Sequence, residues 1–299
     1  MSVKIHATNA PTPLETKVHP VERKVFLAGP KQDEENLKKI LDFIHEYKGL
    51  DLSSYRQNFL YRRLRLRIFS TKAKGYFEYI NLLKNSPEEY NNFLDALSIN
   101  VTEFFRDPDV FEAVEKVVLP QLIARKEARG NLSLRVWSSA CASGEEPYSL
   151  AILIRQSLEK KIAFLVKIWA SDIDRHALEK AKKAEYPAQE LKNIDSKIIK
   201  KYFISCGDNC YRPSDEIRQM VKFQVHNIFQ RFPFRCLDLI FCRNLLIYLD
   251  RRRSKELFHT FSQLLNPGGY LVLGKVETLW DRGLFVPLNL RTKIYQKVD

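Results

Sequence analysis

Residues 134–153, which read LRVWSSACASGEEPYSLAIL, constrain the fold of this 299-residue chain more than any other stretch. An apolar run gives way to small side chains, then Gly144, and then Glu145 and Glu146 open an apolar helical segment. That order specifies a strand, a tight loop and a helix. The lack of bulk at Ser138, Ser139, Ala140, Ala142, Ser143 and Gly144 lets a ligand approach the backbone at the carboxyl end of a strand, where open α/β sheets bind small molecules. Two carboxylates at the helix start satisfy the helix dipole themselves and repel phosphate, so they favour a ligand bearing hydroxyls or positive charge.

A second strand-loop-helix unit follows. The apolar residues 166–170 end in Ser171-Asp172-Ile173-Asp174, ahead of a helical run at 175–184. A carboxylate at that strand tip is placed to accept hydrogen bonds from both hydroxyls of a ribose. A nucleoside without phosphate is the simplest guest, and S-adenosylmethionine, with ribose, adenine and a sulfonium, fits. Further strands are expected at 221–225, 237–242 and 270–274, the last after an Asn266-Pro267-Gly268-Gly269 turn, giving an α/β domain with a largely parallel sheet. Between 184 and 221, a short helix at 196–203 and alternating stretches around Tyr211-Arg212 and 217–221 read as a small hairpin-like insertion. Such a flap suits protein recognition, and almost equally a plain packing extension.

Upstream, helical stretches at 34–47, 54–70, 75–85 and 87–98 are joined by turns at Lys48-Gly49, Lys74-Gly75 and Ser86-Pro87. The junction Ile99-Asn100-Val101-Thr102-Glu103-Phe104-Phe105-Arg106 comes next, with Asp107 as N-cap and Pro108 in the first turn of a helix towards Arg129. The expected organisation is a flexible leader at 1–30, a helical domain at 31–98, and an α/β domain at 99–299 with its insertion at about 186–220. No apolar run approaches the roughly 20 residues of a membrane span, and the leader lacks a signal-peptide core. Five cysteines, odd in number and irregular in spacing, argue against a disulfide framework or zinc site and for a reducing cytoplasm; Cys206 and Cys210 read as ordinary thiols, though their spacing permits a bridge.

The net charge of +13 is concentrated locally. Between 52 and 74 every charge is positive: Arg56, Arg62, Arg63, Arg65, Arg67, Lys72 and Lys74. Leu60, Leu64 and Ile68 recur at helical spacing as a buried stripe, and Arg56, Arg63 and Arg67 share a neighbouring face. That face reads either as a solvated helix surface or as a docking site for an acidic polymer or acidic protein helix.

Five collinear motifs carry a family resemblance: NVTEFFRDP (100–108), RVWSSACASGEEPYSLA (135–151), ASDID (170–174), IFCRNLLIYLD (240–250) and LNPGGYLVLG (265–274). In order and spacing, over roughly 39–292, they resemble the CheR family of chemoreceptor glutamate methyltransferases. The resemblance implies an α/β class I SAM-dependent methyltransferase (Rossmann-like) domain with a small antiparallel β insertion, preceded by a small all-α domain. It implies methyl transfer from S-adenosylmethionine to glutamate carboxylates on the cytoplasmic helix bundle of chemoreceptors, leaving S-adenosylhomocysteine. A cytoplasmic monomer that neither binds nucleic acid nor inserts into membranes is expected. Carried over residue by residue, Asn100, Thr102, Arg106, Glu146, Asp172, Asn227, Ile228, Arg243 and Asn244 are expected to bind cofactor. Arg106 and Tyr248 are expected at the reacting centre, and Arg56, Arg63 and Arg67 at the docking face. Simple packing or capping roles stand beside several of these, as for Tyr248 and Asp174.

Two departures stand out. Where the family commonly has a Gly-His-Ser-Glu run, this chain has Gly274-Lys275-Val276-Glu277, so Lys275 and Val276 are given no role. The loop at 207–209 is shorter than in members tethered to a receptor's C-terminal peptide, which points to direct docking. The implied chemistry suits a substrate carboxylate, since a glutamate with a reference pKa of about 4.3 is already ionised at neutral pH and needs no general base. A nucleic-acid methyltransferase acting on base amino groups would typically carry an Asn/Asp-Pro-Pro-aromatic tetrapeptide, and a dehydrogenase a G-x-G-x-x-G turn. Neither occurs here. A non-catalytic adaptor that senses S-adenosylmethionine is the remaining alternative, separable by a methyl-transfer assay.

Overall fold

The computed structural model describes residues 30–97, 102–159, 161, 163–279, 281 and 283–298. The proposed leader up to residue 29 and the junction residue Asn100 lie outside them.

The amino-terminal part is all-helical: α1 (Pro30–Lys48), α2 (Gln57–Thr71), α3 (Tyr76–Asn85) and α4 (Pro87–Leu97). Its core is built from the expected stripe on α2, with Leu60, Leu64 and Ile68 all buried, against Ile40 and Ile44 of α1, Tyr79 and Leu83 of α3, and Phe93 of α4. Helix α2 starts at Gln57 and not at the expected Ser54, because residues 54–56 are drawn into backbone pairing with the α/β domain. Asp250 N–H donates to the Ser54 carbonyl at 3.2 Å and Arg56 N–H to the Tyr248 carbonyl at 2.8 Å.

The α/β part opens with α5 (Pro108–Ala113) and α6 (Leu119–Ala128), separated by a π turn at Val114–Val118. The expectation of one regular helix fails immediately before Pro120, whose missing N–H removes a bond of the α ladder. Asp107 is not a side-chain cap; it sits in the left-handed region at φ 59° and makes no capping bond. Its carboxylate is claimed by cations described below.

Then follow β1 (Ser133–Ser139), α7 (Glu145–Ser157), β2 (Leu165–Asp172), α8 (Arg175–Lys183), β3 (Tyr186–Pro187), α9 (Ser196–Tyr202), β4 (Phe203–Gly207), β5 (Cys210–Pro213), α10 (Asp215–Gln219), β6 (Val221–Val225), β7 (Leu237–Cys242), α11 (Arg251–Leu264), β8 (Leu265–Leu273), β9 (Phe285–Asn289) and β10 (Ile294–Lys297). Among the described residues, seven strands form one sheet in the order β6-β2-β1-β7-β8-β10-β9. Pairs from β6 to β8 are parallel, and β10 runs antiparallel to both β8 and β9. Alternation along β1 divides the core: Val136 faces the layer of α6 and α7, whereas Trp137 faces α11 and the loop carrying Phe232.

Asn266-Pro267-Gly268-Gly269 lies within β8 as an irregularity, with pairing that jumps from Leu237↔Leu265 to Leu239↔Tyr270. Gly268 takes a φ of 66°, and an added Cβ would stand 2.4 Å from the Arg125 guanidinium, whose Nη1 donates to the Gly268 carbonyl. The insertion forms a separate antiparallel sheet, β3-β5-β4, while residues 217–219 belong to α10 and not to a strand. It is anchored by Tyr186 and Phe203, whose rings meet Phe104 edge-on at 4.9 and 5.4 Å. Against expectation, Cys206 and Cys210 are joined by a disulfide. The β4–β5 turn brings their Cα atoms to 5.3 Å, within bridging range. No helix among the described residues is long and apolar enough to cross a membrane.

Arg67 is committed inside the helical domain. Its Nε donates to Glu89 Oε1 at 3.0 Å, its Nη2 bonds Oε2, and the same carboxylate accepts from the Tyr79 hydroxyl at 2.8 Å. Glu89 is 5% exposed and the Arg67 side chain 21%. Truncating Glu89 strands a largely buried cation and a phenol, so Glu89→Ala should cost about 2–3 kcal/mol, less than a fully buried pair because Arg67 retains some access to water. Urea unfolding followed by circular dichroism measures this, and a loss under about 0.5 kcal/mol would mean that the pair contributes little.

Candidate active site

The expected loops converge where strand order reverses, between β1 and its parallel neighbours β2 and β7, which is the position at which open α/β sheets bind ligands. There a cleft with about 1000 Å³ of space open to solvent is lined by Thr102, Arg106, Glu146, Asp172, Asn227, Ile228, Arg243, Asn244 and Tyr248, among others. Each of these is an expected site residue. Arg56, Arg63 and Arg67 are not in the lining.

The floor is made by backbone in uncommon conformations. Ala140 (φ 55°), Ala142 (φ 46°) and Asn244 (φ 59°) line the cleft in the left-handed region, and Phe105 (φ 52°) flanks it. Such strain is held only where surrounding bonds over-determine it. Asp172, at the end of β2, supplies two of those bonds. Its Oδ2 accepts from the Ala142 N–H and its Oδ1 from the Asp174 N–H, both at 2.9 Å. Each oxygen keeps a lone pair for the cleft. Burial pushes the Asp172 carboxyl above the usual carboxylate range, opposed by the backbone bonds it accepts. Asp174 caps α8, accepting from His176 N–H at 2.8 Å and Ala177 N–H at 3.0 Å.

The small residues divide their tasks. Ala140 and Ala142 face the cleft. Ser138 donates to Glu146 Oε1 at 2.8 Å, and Ser139 to the Phe241 carbonyl at 3.0 Å. Gly144, expected beside the ligand, lies outside the lining. It has a φ of 98°, and a Cβ there would come within 2.9 Å of Ala181 Cβ and 3.0 Å of the Tyr186 hydroxyl, so close packing of the helix start on α8 dictates glycine. Glu145 turns away from the cleft towards Ser143, and burial pushes it up to about 7.

Arg243, at the end of β7, is the cation of the site. Its side chain is 1% exposed; Nη1 donates to Glu146 Oε2 at 3.3 Å, Nη2 to the Arg106 carbonyl at 2.9 Å, and Nη2 also bonds the Asp107 carboxylate. Lys275, left without an expected role, ties Asp109 at 2.7 Å and reaches Asp107 at 3.8 Å. Two residues on, Glu277 is 2% exposed and accepts from Gly274 N–H at 2.6 Å and Leu246 N–H at 2.7 Å, holding the loop that carries Asn244 and Tyr248.

At the other wall Tyr248 packs against Phe59 of α2, with ring centroids 4.6 Å apart. Burial raises its phenol above the usual value, while Arg63, Arg106 and Arg62 pull it down, so four residues from both domains share one electrostatic neighbourhood. Arg63 also stands over the Phe59 ring at 5.5 Å. Arg56 instead donates its Nε to the Leu249 carbonyl at 2.9 Å, joining the domains.

Among the lining residues that went unread in the sequence, two carry polar rings. Tyr55 was hidden within the basic segment, and His226 directly precedes Asn227 at the tip of β6. His226 Nε2 is buried with no partner among the described residues, and burial lowers its pKa, so it is a neutral imidazole. Asn227 Oδ1 accepts from the Phe229 N–H at 3.0 Å, which leaves its amide donors for the cleft. An unfilled imidazole nitrogen, spare lone pairs on Asp172 and alanines at the floor fit a nucleoside bearing a cation and no phosphate.

Comparison with known proteins agrees with this geometry. The family model described as CheR methyltransferase, SAM binding domain, matches residues 100–294, and that described as CheR methyltransferase, all-alpha domain, matches 35–98. The chain is 35% identical over 244 residues to chemotaxis protein methyltransferase 2 of Vibrio cholerae, covering 80% of this chain and 83% of that one. It is 31% identical over 250 residues to the chemotaxis protein methyltransferase of Borreliella burgdorferi, covering 82% and 88%. The corresponding protein of Listeria innocua is 33% identical over 249 residues, covering 83% and 92%. With both of its parts matched, the chain belongs to the CheR methyltransferase family, and its α/β part is that family's S-adenosylmethionine-binding domain.

Proposed function

We propose that the chain transfers a methyl group from S-adenosylmethionine to glutamate side-chain carboxylates of chemoreceptors, forming methyl esters. The observation that carries this reading is the cluster of Arg62, Arg63 and Arg106 around Tyr248 at the cleft wall. It makes an electropositive approach to a phenol hydroxyl, which is protonated at neutral pH. The carboxylates of the cleft are committed elsewhere, Glu146 to Arg243 and Ser138, and Asp172 to two backbone N–H groups. The His226 imidazole lies edge-on to the Trp137 ring of β1, with centroids 6.1 Å apart, and lines the same cleft as Tyr248. A glutamate presented at Tyr248 arrives already ionised and needs no base there.

S-adenosylmethionine supplies an electrophilic methyl group on a sulfonium. The protein's part is binding and aim. Asp172 is suited to the ribose hydroxyls, Asn227 and His226 to polar edges of the nucleoside, and Thr102 and Arg106 to the amino-acid end; Ile228 offers an apolar wall. Asn100 is assigned to the same group from the motif alone. Tyr248 donates one hydrogen bond to the attacking carboxylate and directs it without neutralising it. Arg106 steers by longer-range charge, because a tight ion pair would blunt the nucleophile. Fixing an in-line approach accounts for much of the acceleration, up to roughly 7–11 kcal/mol at the effective-molarity limit. Receptor docking falls to Arg63 and Arg62, since Arg67 is held by Glu89 and Arg56 by the Leu249 carbonyl.

Incubation with methyl-labelled S-adenosylmethionine and chemoreceptor should give label that mild alkali releases. Alkali-stable label on receptor, or label on nucleic acid, would overturn the assignment. Tyr248→Phe should lower kcat about 10- to 100-fold, the worth of one hydrogen bond to a charged group, with S-adenosylhomocysteine affinity unchanged. Asp172→Asn should do the reverse, weakening calorimetric cofactor affinity by about 1.5–3 kcal/mol. Arg63→Glu should raise the KM for receptor at low ionic strength and leave cofactor affinity intact. An unaltered KM would remove α2 from the docking surface.

A further inference from the structure

Tyr55 belongs to the helical domain, yet its side chain lines the cleft in company with Asp172, Asn244 and Tyr248. Its position is fixed on both sides. Residue 55 forms an antiparallel bridge with Leu249, flanked by the bonds from Asp250 to Ser54 and from Arg56 to Tyr248. The ring stacks on Phe59 at 6.0 Å, and Phe59 packs on Tyr248 at 4.6 Å. Tyr55, Phe59 and Tyr248 thus form one aromatic row that starts in the cofactor cleft and runs along the first turn of the docking helix.

We infer that Tyr55 is a cofactor-binding residue supplied by the helical domain, so that cofactor binding and the seating of α2 on the methyltransferase domain form one linked equilibrium. The chemistry is that of a neutral phenol beside a carboxylate. Burial and the Asp172 charge push Tyr55 up to about 12, so it stays protonated and can donate. A ribose hydroxyl that donates to Asp172 has lone pairs left, and a phenol O–H lining the same cleft is the complementary donor. A nucleoside bridged in this way between Asp172 and Tyr55 contacts both domains. Anything that strengthens the contact of α2 with residues 248–250 then raises cofactor affinity, and cofactor strengthens that contact by the same factor. A partner on the Arg62 and Arg63 face of α2 would be felt at the nucleoside without touching it.

The inference rests on the cleft being the cofactor site, and the test separates the two. Calorimetry of S-adenosylhomocysteine binding to the full chain compares wild type, Asp172→Asn and Tyr55→Phe, the last of which keeps the stack on Phe59. Hydrogen exchange of residues 54–60 is followed with and without S-adenosylhomocysteine. We expect Tyr55→Phe to raise Kd five- to twenty-fold, and wild-type residues 54–60 to gain protection on binding that the variant largely loses. If Asp172→Asn binds like wild type, the cleft assignment itself fails. If Asp172→Asn weakens binding and Tyr55→Phe stays within twofold of wild type, Tyr55 is a packing residue. Weakened binding in Tyr55→Phe with no ligand-induced protection of 54–60 in wild type would overturn the linkage.

Discussion

Arg243 puts a full positive charge on a side chain that is 1% exposed, and a cation so placed is tolerated only where fixed anions and carbonyls surround it. Those partners come from well-separated parts of the chain: Glu146 from the start of α7, Asp107 and the Arg106 carbonyl from the junction before α5. The guanidinium also lies over the Phe111 ring at 5.7 Å. Arginine's planar fork meets two carboxylates and a carbonyl at once, which lysine's point charge could not. The left-handed turn at Asp107, the orientation of Glu146 and the placing of Arg106 at the cleft all follow from this one group. Removing it would leave the buried Glu146 carboxylate without its cation, whereas Asp107 would keep Lys275 and some access to water.

Much of this architecture was legible in the sequence because periodicity and loop chemistry report on local structure. Leu60, Leu64 and Ile68 read as a buried stripe and are one. The strand-loop-helix units around Gly144 and Asp172 placed the cleft, and the motif residues from Thr102 to Tyr248 gather in it. What stayed hidden depends on contacts made across the fold. Asp107 has every local mark of an N-cap, but Arg243, distant in sequence, outcompetes the helix N–H groups for its carboxylate. Arg67 looks free along its own helix and is not, because Glu89 lies on another. Gly144 was read as making room for a ligand, and it makes room for Ala181. Tyr55 gave no sign at all, since its importance arises from a bridge to Leu249.

Charge in the helical domain shows how composition can mislead about availability. A run of cations without an acid between 52 and 74 suggests a uniformly sticky face. In the folded molecule one cation holds the bundle together through Glu89, another holds the two domains together through the Leu249 carbonyl, and Arg65 lies over the Tyr61 ring at 4.2 Å. Only part of the basic run remains to meet a partner. It sits where it also acts on the Tyr248 hydroxyl, because Arg63 and Arg62 both bear on that phenol.

The bond from Arg56 to the Leu249 carbonyl spans 193 positions of sequence. The helical bundle, whose core contacts are local, is complete as a folding unit long before its docking partner has been synthesised. At roughly 5–20 residues per second of translation, the bundle, complete once α4 ends at Leu97, waits on the order of 8–30 s for the segment that follows β7. During that time Tyr55 and Phe59 have no Tyr248 to cover them, and the basic turn beside them is bare. The interval is long compared with the folding of a small helical unit, so the bundle's own core contacts can form before its partner segment appears. The buried Glu89 pair and the continuous stripe on α2 are contacts the bundle makes within itself during that interval.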